Sequence, residues 1–312
     1  MRIMVTGGAG FIGSHTVDAL VATAQHQVSV LDDLSTGKRH QVNPAARFHH
    51  VDLRDASAVL SAIQTETPEV IYHLAAQMDV RRSVADPAFD AQVNLVGFLN
   101  LMESARRSGL RRVIFSSTGG AIYGEQEQFP CDESHPLRPV SPYGVAKSAT
   151  ESYLFFYRNE YKIEYIALRY GNVYGPRQDP HGEAGVVAIF CGRILENKAC
   201  SIYGDGGQTR DYVFVGDVVR ANIAALSADT VGAINIGTGV ETSVNELYSA
   251  LASAAGTKLA PEYAPARPGE QRRSVISPAR AAKVLVWRPE NSIRDGLATT
   301  FKYFKERAAS SV

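Results

Sequence analysis

Cysteine is scarce: Cys131, Cys191 and Cys200 are the only three in 312 residues, and no two of them form a C-x-x-C pair. An odd count without that spacing argues against a disulfide framework and against a zinc site, and buried thiols are the expectation. An excess of charge is also missing. Thirty-two basic and 32 acidic side chains give a formal net charge of zero, which gives no support to nucleic acid or an anionic membrane as the main partner and fits small-molecule chemistry better. No apolar run reaches the length needed to span a bilayer, so no membrane segment is expected. The first strand-like run begins at Arg2, leaving no room for a secretory leader, and a cytoplasmic protein is expected. Histidines such as His15, His49, His50, His73 and His181 show no ligand spacing with carboxylates, so no metal is expected. Tandem repeats and low-complexity tracts are absent. With 45% hydrophobic and 21% charged residues the composition is that of a globular protein with one large core or two, and only the tail after about Arg307 is expected to fray.

What is present begins with glycine. The apolar run Arg2-Ile3-Met4-Val5-Thr6 breaks into Gly7-Gly8-Ala9-Gly10-Phe11-Ile12-Gly13 before a helix-like stretch from Ser14 to Ala22. Gly8, Gly10 and Gly13 fit G-x-G-x-x-G; Gly7, Gly10 and Gly13 fit G-x-x-G-x-x-G. A glycine cluster alone reads as a tight turn. Between a strand and a helix it lets backbone approach a pyrophosphate, whose charge the helix N-terminus stabilises. A second strand, Gln27 to Leu31, ends in Asp32, where a dinucleotide fold places the carboxylate for the adenosine ribose hydroxyls. An acid there favours NAD over NADP, because it repels a 2′-phosphate. Lys38 and Arg39, six and seven residues on, are the nearest cations after it.

Tyr143 and Lys147, in Ser141-Pro142-Tyr143-Gly144-Val145-Ala146-Lys147, stand four apart and share one face of a helix. The ammonium is then expected to pull the phenol pKa from about 10 toward neutrality, making an acid/base group for a sugar hydroxyl. Any amphipathic helix can carry such a pair by chance; its weight comes from the surroundings.

Apolar runs at Ile3–Val5, Val28–Leu31, Arg47–Val51, Val70–His73, Val113–Ser116 and Tyr165–Arg169 alternate with helical stretches near 14–23, 55–65, 89–108 and 144–161. This alternation predicts βαβ units: an α/β, Rossmann-type, doubly wound parallel sheet. Right-handed crossovers put Gly7–Gly13, Asp32, Ala75–Gln77, Thr118 and Asn172 on one sheet edge. Beyond about residue 170 the elements shorten and Gly, Pro and Arg increase. The expected organisation is an NAD-binding domain over 1–170, rejoined by segments near 212–238 that include Ala233–Gly237, and a smaller C-terminal α/β substrate lobe over 171–312.

Taken in order, Thr6-Gly7-Gly8-Ala9-Gly10-Phe11-Ile12-Gly13, Asp32, Ser116-Ser117-Thr118, Tyr143-x-x-x-Lys147 and Arg210-Asp211-Tyr212-Val213 resemble the extended short-chain dehydrogenase/reductases, and among them the UDP-glucose (UDP-galactose) 4-epimerases, from residue 1 to about 300. The resemblance implies that Tyr143 is the catalytic base, that Lys147 lowers its pKa and holds the nicotinamide ribose, and that Thr118 bonds the sugar 4-hydroxyl, with Ser117 as a fallback. It further implies that Gly7, Gly10, Phe11, Ile12, Asp32, Asp52, Leu53, Ala75, Gln77 and Asn94 surround NAD together with Tyr143 and Lys147. Asn172, Arg210, Arg267 and Glu270 would grip the UDP-sugar, since two Arg side chains can neutralise a diphosphate. A homodimer through the helices near 89–108 and 144–161 is implied in the same way.

The chain departs from the family pattern in places. Ser116 to Gly124 is one residue longer than the common form, which moves the register of Thr118. Glu270 stands where Asp is frequent. Gln77 and the adjoining Met78 to Arg82 also differ, and Arg81 and Arg82 either touch substrate or cap a helix. Ser274 occupies a position that a bulky Tyr fills in epimerases excluding N-acetylated sugars, so UDP-GlcNAc stays open beside UDP-glucose. Gly119-Gly120 follow Thr118 where a 4,6-dehydratase carries an Asp-Glu pair, which disfavours dehydration. A UDP-glucuronate 4-epimerase and a catalytically silent NAD-binding sensor are the competing readings.

Overall fold

In the computed structural model, which describes residues 1–180, 185–266 and 271–310, the first half of the chain builds βαβ units. The elements are β1 (Arg2–Thr6), α1 (Phe11–Ala22), β2 (Gln27–Asp32), β3 (Arg47–His50), α2 (Ala56–Glu66), β4 (Val70–His73), α3 (Val80–Ala85), α4 (Pro87–Ala91), α5 (Gly97–Ala105), β5 (Arg112–Thr118), α6 (Pro142–Tyr161) and β6 (Glu164–Tyr170). The second half contains β7 (Asn172–Tyr174), α7 (Val186–Leu195), β8 (Ser201–Tyr203), β9 (Thr209–Arg210), β10 (Tyr212–Phe214), α8 (Val215–Ser227), β11 (Gly232–Ile236), β12 (Thr242–Ser243), α9 (Val244–Ala255), β13 (Glu262–Ala264), β14 (Arg273–Ser274), α10 (Ala279–Val284) and α11 (Ile293–Ser310).

Seven strands form one sheet in the order β11-β6-β5-β4-β1-β2-β3, all parallel. Strands such as β1 and β4 are apolar nearly throughout because helices cover both faces. On one face Val17, Leu20, Val218 and Ala221 pack over the sheet, joined by Trp287. On the other, Val59, Ile63, Phe98, Leu101 and Leu154 do so. A third cluster, with Phe190, Leu247, Leu251 and Phe301, lies under the second-half helices. Each such side chain contributes roughly 1.5–3 kcal/mol by leaving water. The chain winds outward through β1, β2 and β3, then crosses back to β4. Order therefore reverses between β1 and β4, and the crevice at their carboxyl ends is where a ligand fits.

Local chemistry fixes the helices that face this crevice. Asp55 caps α2 by accepting from the Ser57 and Ala58 amides, and Ser141 caps α6 with Pro142 in the first helical turn. The single helix expected near 89–108 is not continuous: α4 passes through a π turn, Gln92–Val96, before α5. A π turn inserts one residue and rotates the helix beyond it, and such turns gather at functional sites.

Among the described residues no helix is long and apolar enough to cross a membrane, and no cluster of His, Cys, Asp or Glu could hold a metal ion. The three cysteines are buried and free. Desolvation pushes Cys131 and Cys191 up to about 12 and Cys200 up to about 11, so all three stay protonated and unreactive.

Candidate active site

The glycine loop is a cradle in which side chains have no room. Gly7 has φ +71°, and a Cβ there would lie 2.5 Å from the Ala75 nitrogen of the neighbouring loop. A Cβ on Gly13 would lie 2.0 Å from the Gly7 carbonyl oxygen. Gly10 is the N-cap of α1, and no side chain caps the first turn, so the amides of that turn are left for an anion. Phe11 and Ile12, in that turn, are half-buried.

Asp32 ends β2 beside this turn. Its Oδ2 accepts from the Ala9 amide at 2.9 Å and its Oδ1 from Leu34 at 2.9 Å. Burial raises its pKa while these backbone bonds oppose the rise. The two cations noted in the sequence are engaged elsewhere. Lys38 pairs with Asp179 at 3.0 Å, and the Arg39 guanidinium lies over the Phe48 ring at 4.4 Å. Neither offsets the charge a 2′-phosphate would meet at Asp32, and the cradle fits NAD.

Asp52 is held by Arg54 and Leu53 is buried. Ala75 follows β4, its amide donating to Thr6 Oγ1 at 3.3 Å. Gln77 and Asn94 brace each other: Asn94 Oδ1 accepts from the Gln77 amide and Nδ2 donates to the Gln77 carbonyl, both at 2.8 Å. The Gln77 side chain folds back on Asp79, so both polar side chains shape the crevice wall through contacts within it.

Tyr143 and Lys147 lie on the face of α6 that meets β5. Lys147 is buried; its Nζ donates to the Ser116 carbonyl at 2.7 Å and sits 4.6 Å from the Phe115 ring centroid and 5.7 Å from that of Tyr143. Thr118 ends β5 half-buried, its Oγ1 accepting from Ala121 at 3.2 Å. Ser117 points the other way, into the interior. It donates to Glu151 Oε1 at 2.6 Å, and Arg169 holds both oxygens of that carboxylate at 3.0 and 2.6 Å. Asn172 stands opposite Thr118: a Cβ on Gly120 would lie 3.8 Å from Asn172 Oδ1 and 3.9 Å from Thr118 Oγ1. At Gly119 a Cβ would meet Ile276 Cδ1 at 2.7 Å, so a side chain there would require Ile276 to shift.

The sequence model of the NAD dependent epimerase/dehydratase family matches residues 3–237. The chain belongs to that family. It is 47% identical to a UDP-glucose 4-epimerase of Mycolicibacterium smegmatis over 99% of this chain and 100% of that one. Its structure superposes on the UDP-glucose 4-epimerase of Thermotoga maritima solved with UDP-glucose, with TM-score 0.97 and 47% identity over 99% and 100% of the two chains. It is also similar to the Thermus thermophilus UDP-glucose 4-epimerase in complex with NAD, with TM-score 0.93 and 48% identity over 98% and 99%.

Arg210 lies in the short sheet β12-β9-β14. It is in register with Thr242 on one side and Ser274 on the other. Ser274 is 3% exposed, so the small side chain is a property of a packed site. Arg267 and Glu270 lie outside the described residues. The Arg82 guanidinium lies over the Phe89 ring at 4.0 Å, and Asp79 caps α3 by accepting from the Arg82 amide.

The ligand-free crevice departs from one expectation. In the ligand-free protein Tyr143 is pushed up rather than toward neutrality, chiefly by desolvation and then by the Asp90 carboxylate. Lys147 carries the opposite shift, down to about 7, chiefly by desolvation. Both charged forms lose water in one low-dielectric crevice, and for each group that loss is the leading cause of the shift. The sequence reading missed Asp90, Glu151 and Arg169. The i,i+4 spacings Asp90–Asn94 and Lys147–Glu151 were the available signals.

Proposed function

We propose that this protein interconverts UDP-glucose and UDP-galactose as an NAD-dependent 4-epimerase. The observation that carries the reading is a buried Lys147 tied to β5 beneath Thr118, with Tyr143 one turn earlier on the same helix face. Bound NAD supplies a reversible acceptor for the C4 hydrogen and its electron pair, so the sugar passes through a 4-keto form without net oxidation. Tyr143, as phenolate, takes the proton of the 4-hydroxyl and returns it. The Lys147 ammonium stabilises that phenolate, and the Thr118 hydroxyl orients the oxygen. Arg210, with Arg267, anchors the diphosphate, and Asn172 and Glu270 hold the remaining polar edges. Anchoring the nucleotide rather than the sugar lets the keto sugar present either face, because binding energy spent on UDP favours neither epimer.

The small side chain of Ser274, in register with Arg210, extends the proposal to a second substrate pair, UDP-GlcNAc and UDP-GalNAc. The same proposal takes residues 1–170, with segments near 212–238, as the NAD-binding domain and 171–312 as the nucleotide-sugar lobe; the separate third core cluster supports that division. It also includes a homodimer and a cytoplasmic location. The dimer is supported by exposed apolar side chains of α6, Val145, Phe155 and Phe156, and of the π turn packed against it, Val96, beside a groove of about 540 Å³ between α4 and α6.

The test is to incubate the purified protein separately with UDP-galactose, UDP-GlcNAc and UDP-glucuronate and to resolve C4 epimers by proton NMR. Interconversion of UDP-galactose and UDP-glucose is expected. Tyr143→Phe should abolish turnover and keep NAD, and unchanged turnover in that variant would sink the assignment.

A further inference from the structure

Asp90, at the end of α4, is 1% exposed. Its Oδ1 accepts from Gln77 Nε2 at 3.0 Å and from Asn94 Nδ2 at 2.9 Å, while Oδ2 is buried without any partner among the described residues. Both donors are neutral amides. A carboxylate in that setting normally has a cation in contact, because an ionised oxygen left without a partner in a low dielectric is costly. The π turn makes the arrangement: it sets Asn94 so that one amide bonds the Gln77 carbonyl and Asp90 together.

The other charges around this point are accounted for. On α6, which packs against α4, stand Tyr143, Lys147 and Glu151. Glu151 is neutralised by Arg169 of β6 through two hydrogen bonds. His73 of β4 is held neutral by burial, pushed down to about 3. Asp79 and Asp86 cap α3 and α4, and Arg82 of α3 lies over Phe89. Burial raises the Asp90 carboxyl above the ordinary carboxylate range, while its bonds from Gln77 and Asn94 and the charge of Lys147 oppose the rise. Among the described residues, that leaves Asp90, when ionised, as the one anion acting on Lys147 that no cation of its own neutralises.

We propose that Asp90 is a positioning residue for the reaction: it keeps the buried Lys147 in its ammonium form and, through Gln77 and Asn94, locks the crevice wall that comes after β4. The inference rests on the epimerase reading for its meaning and on the geometry of Asp90 for its content. Its charge has a cost, since it also opposes ionisation of Tyr143. Asp90 is buried behind Gln77 and Asn94, so its removal should act on turnover rather than on substrate affinity.

The experiment tracks the Cε resonance of Lys147 against pH in NAD-free protein carrying isotope-labelled lysine, the signal being assigned by its loss in Lys147→Met. Asp90→Asn keeps the acceptor for Gln77 and Asn94 and removes the charge; Asp90→Ser serves as a second neutral variant if the first is not recovered folded. The Lys147 midpoint, about 7 in the parent, is expected to fall by about one unit in either neutral variant and to return in Asp90→Glu. In the NAD-loaded enzyme kcat should fall about tenfold with KM unchanged, and the acidic limb of its pH profile should move to lower pH. A midpoint that stays or rises in both neutral variants overturns the proposal. Because the titration needs no substrate, its failure is distinguishable from a failure of the epimerase reading, which shows as absent turnover in the parent.

Discussion

Ser117 and Thr118 are neighbours at the end of β5, and their hydroxyls meet opposite sides of the strand. Ser117 serves the buried Glu151–Arg169 pair, whereas Thr118 faces the crevice with Asn172 across from it. The two alanine substitutions should therefore separate. Thr118→Ala is expected to lower kcat by about 10²-fold with thermal stability intact. Ser117→Ala is expected to cost about 1–2 kcal/mol of stability with turnover changed far less. Kinetics and thermal melts on the pair decide it, and the reverse pattern would make Ser117 the reacting hydroxyl. Lys147 gives a second contrast. Its folded-state value, about 7, lies below its ordinary 10.5, so the unfolded chain holds the proton more tightly and stability rises with pH between those values. At pH 7 burying this lysine costs a few kcal/mol, with the attraction to Asp90 already included. Lys147→Met, free of NAD, should thus melt several degrees higher than the parent at pH 7, with the gap closing toward pH 10 and epimerisation lost. A variant less stable than the parent at pH 7 contradicts this. Tyr143, Lys147 and Thr118 were legible because each motif is local in sequence. Asp90 and the Glu151–Arg169 pair were not, because what gives them meaning is a partner on another element.

At the scale of elements, the strands of the seven-stranded sheet were the easiest to read, since a parallel sheet covered on both faces demands continuous apolar runs such as Ile3–Val5 and Val70–His73, whereas the two- and three-residue strands after residue 170 are too short to leave such a run. The π turn at Gln92–Val96 left no such mark; it changes backbone hydrogen-bond register without changing composition. Glycines in the first turn can be weighed by size of effect. In a helix interior Ala is favoured over Gly by about 1 kcal/mol, yet a Cβ at Gly13 of α1 would lie 2.0 Å from the Gly7 carbonyl, which is backbone and cannot swing aside. Sterics win there. Gly13→Ala should push α1 off β1, cost several kcal/mol and release NAD. Gly109 is the control: its φ is +88°, but nothing lies within 4 Å of a Cβ built on it, so Gly109→Ala should cost only about 1 kcal/mol of backbone strain and leave NAD in place. Melts and absorbance of co-purified NAD test both, and equal losses in the two variants would mean that the cradle is not what Gly13 serves.

At the scale of the whole molecule, the face that carries Val96, Val145, Phe155 and Phe156 has no cover among the described residues, and Phe155 is 56% exposed. A lone exposed apolar residue needs no explanation, but several along one helix flank do. A second copy of the chain is the proposed cover, and a stable dimer would bury about 800 Å² per protomer there. Formal net charge is zero, so no long-range repulsion opposes association of like chains and salt should alter it little. Phe155→Asp places a charge in the middle of that contact. Because the side chain is exposed, the folded protomer should lose no more than about 0.5 kcal/mol, whereas the dimer must desolvate two carboxylates near its axis or come apart. Light scattering at micromolar concentration is therefore expected to report dimers for the parent in both low and high salt, and monomers for Phe155→Asp with NAD retained. A parent that is monomeric, or a variant that stays dimeric, removes this face from the assembly. Tyr143 and Lys147 lie on the same helix as Phe155, so a monomeric variant that keeps NAD but turns over more slowly would show that the partner stiffens α6 from outside the crevice.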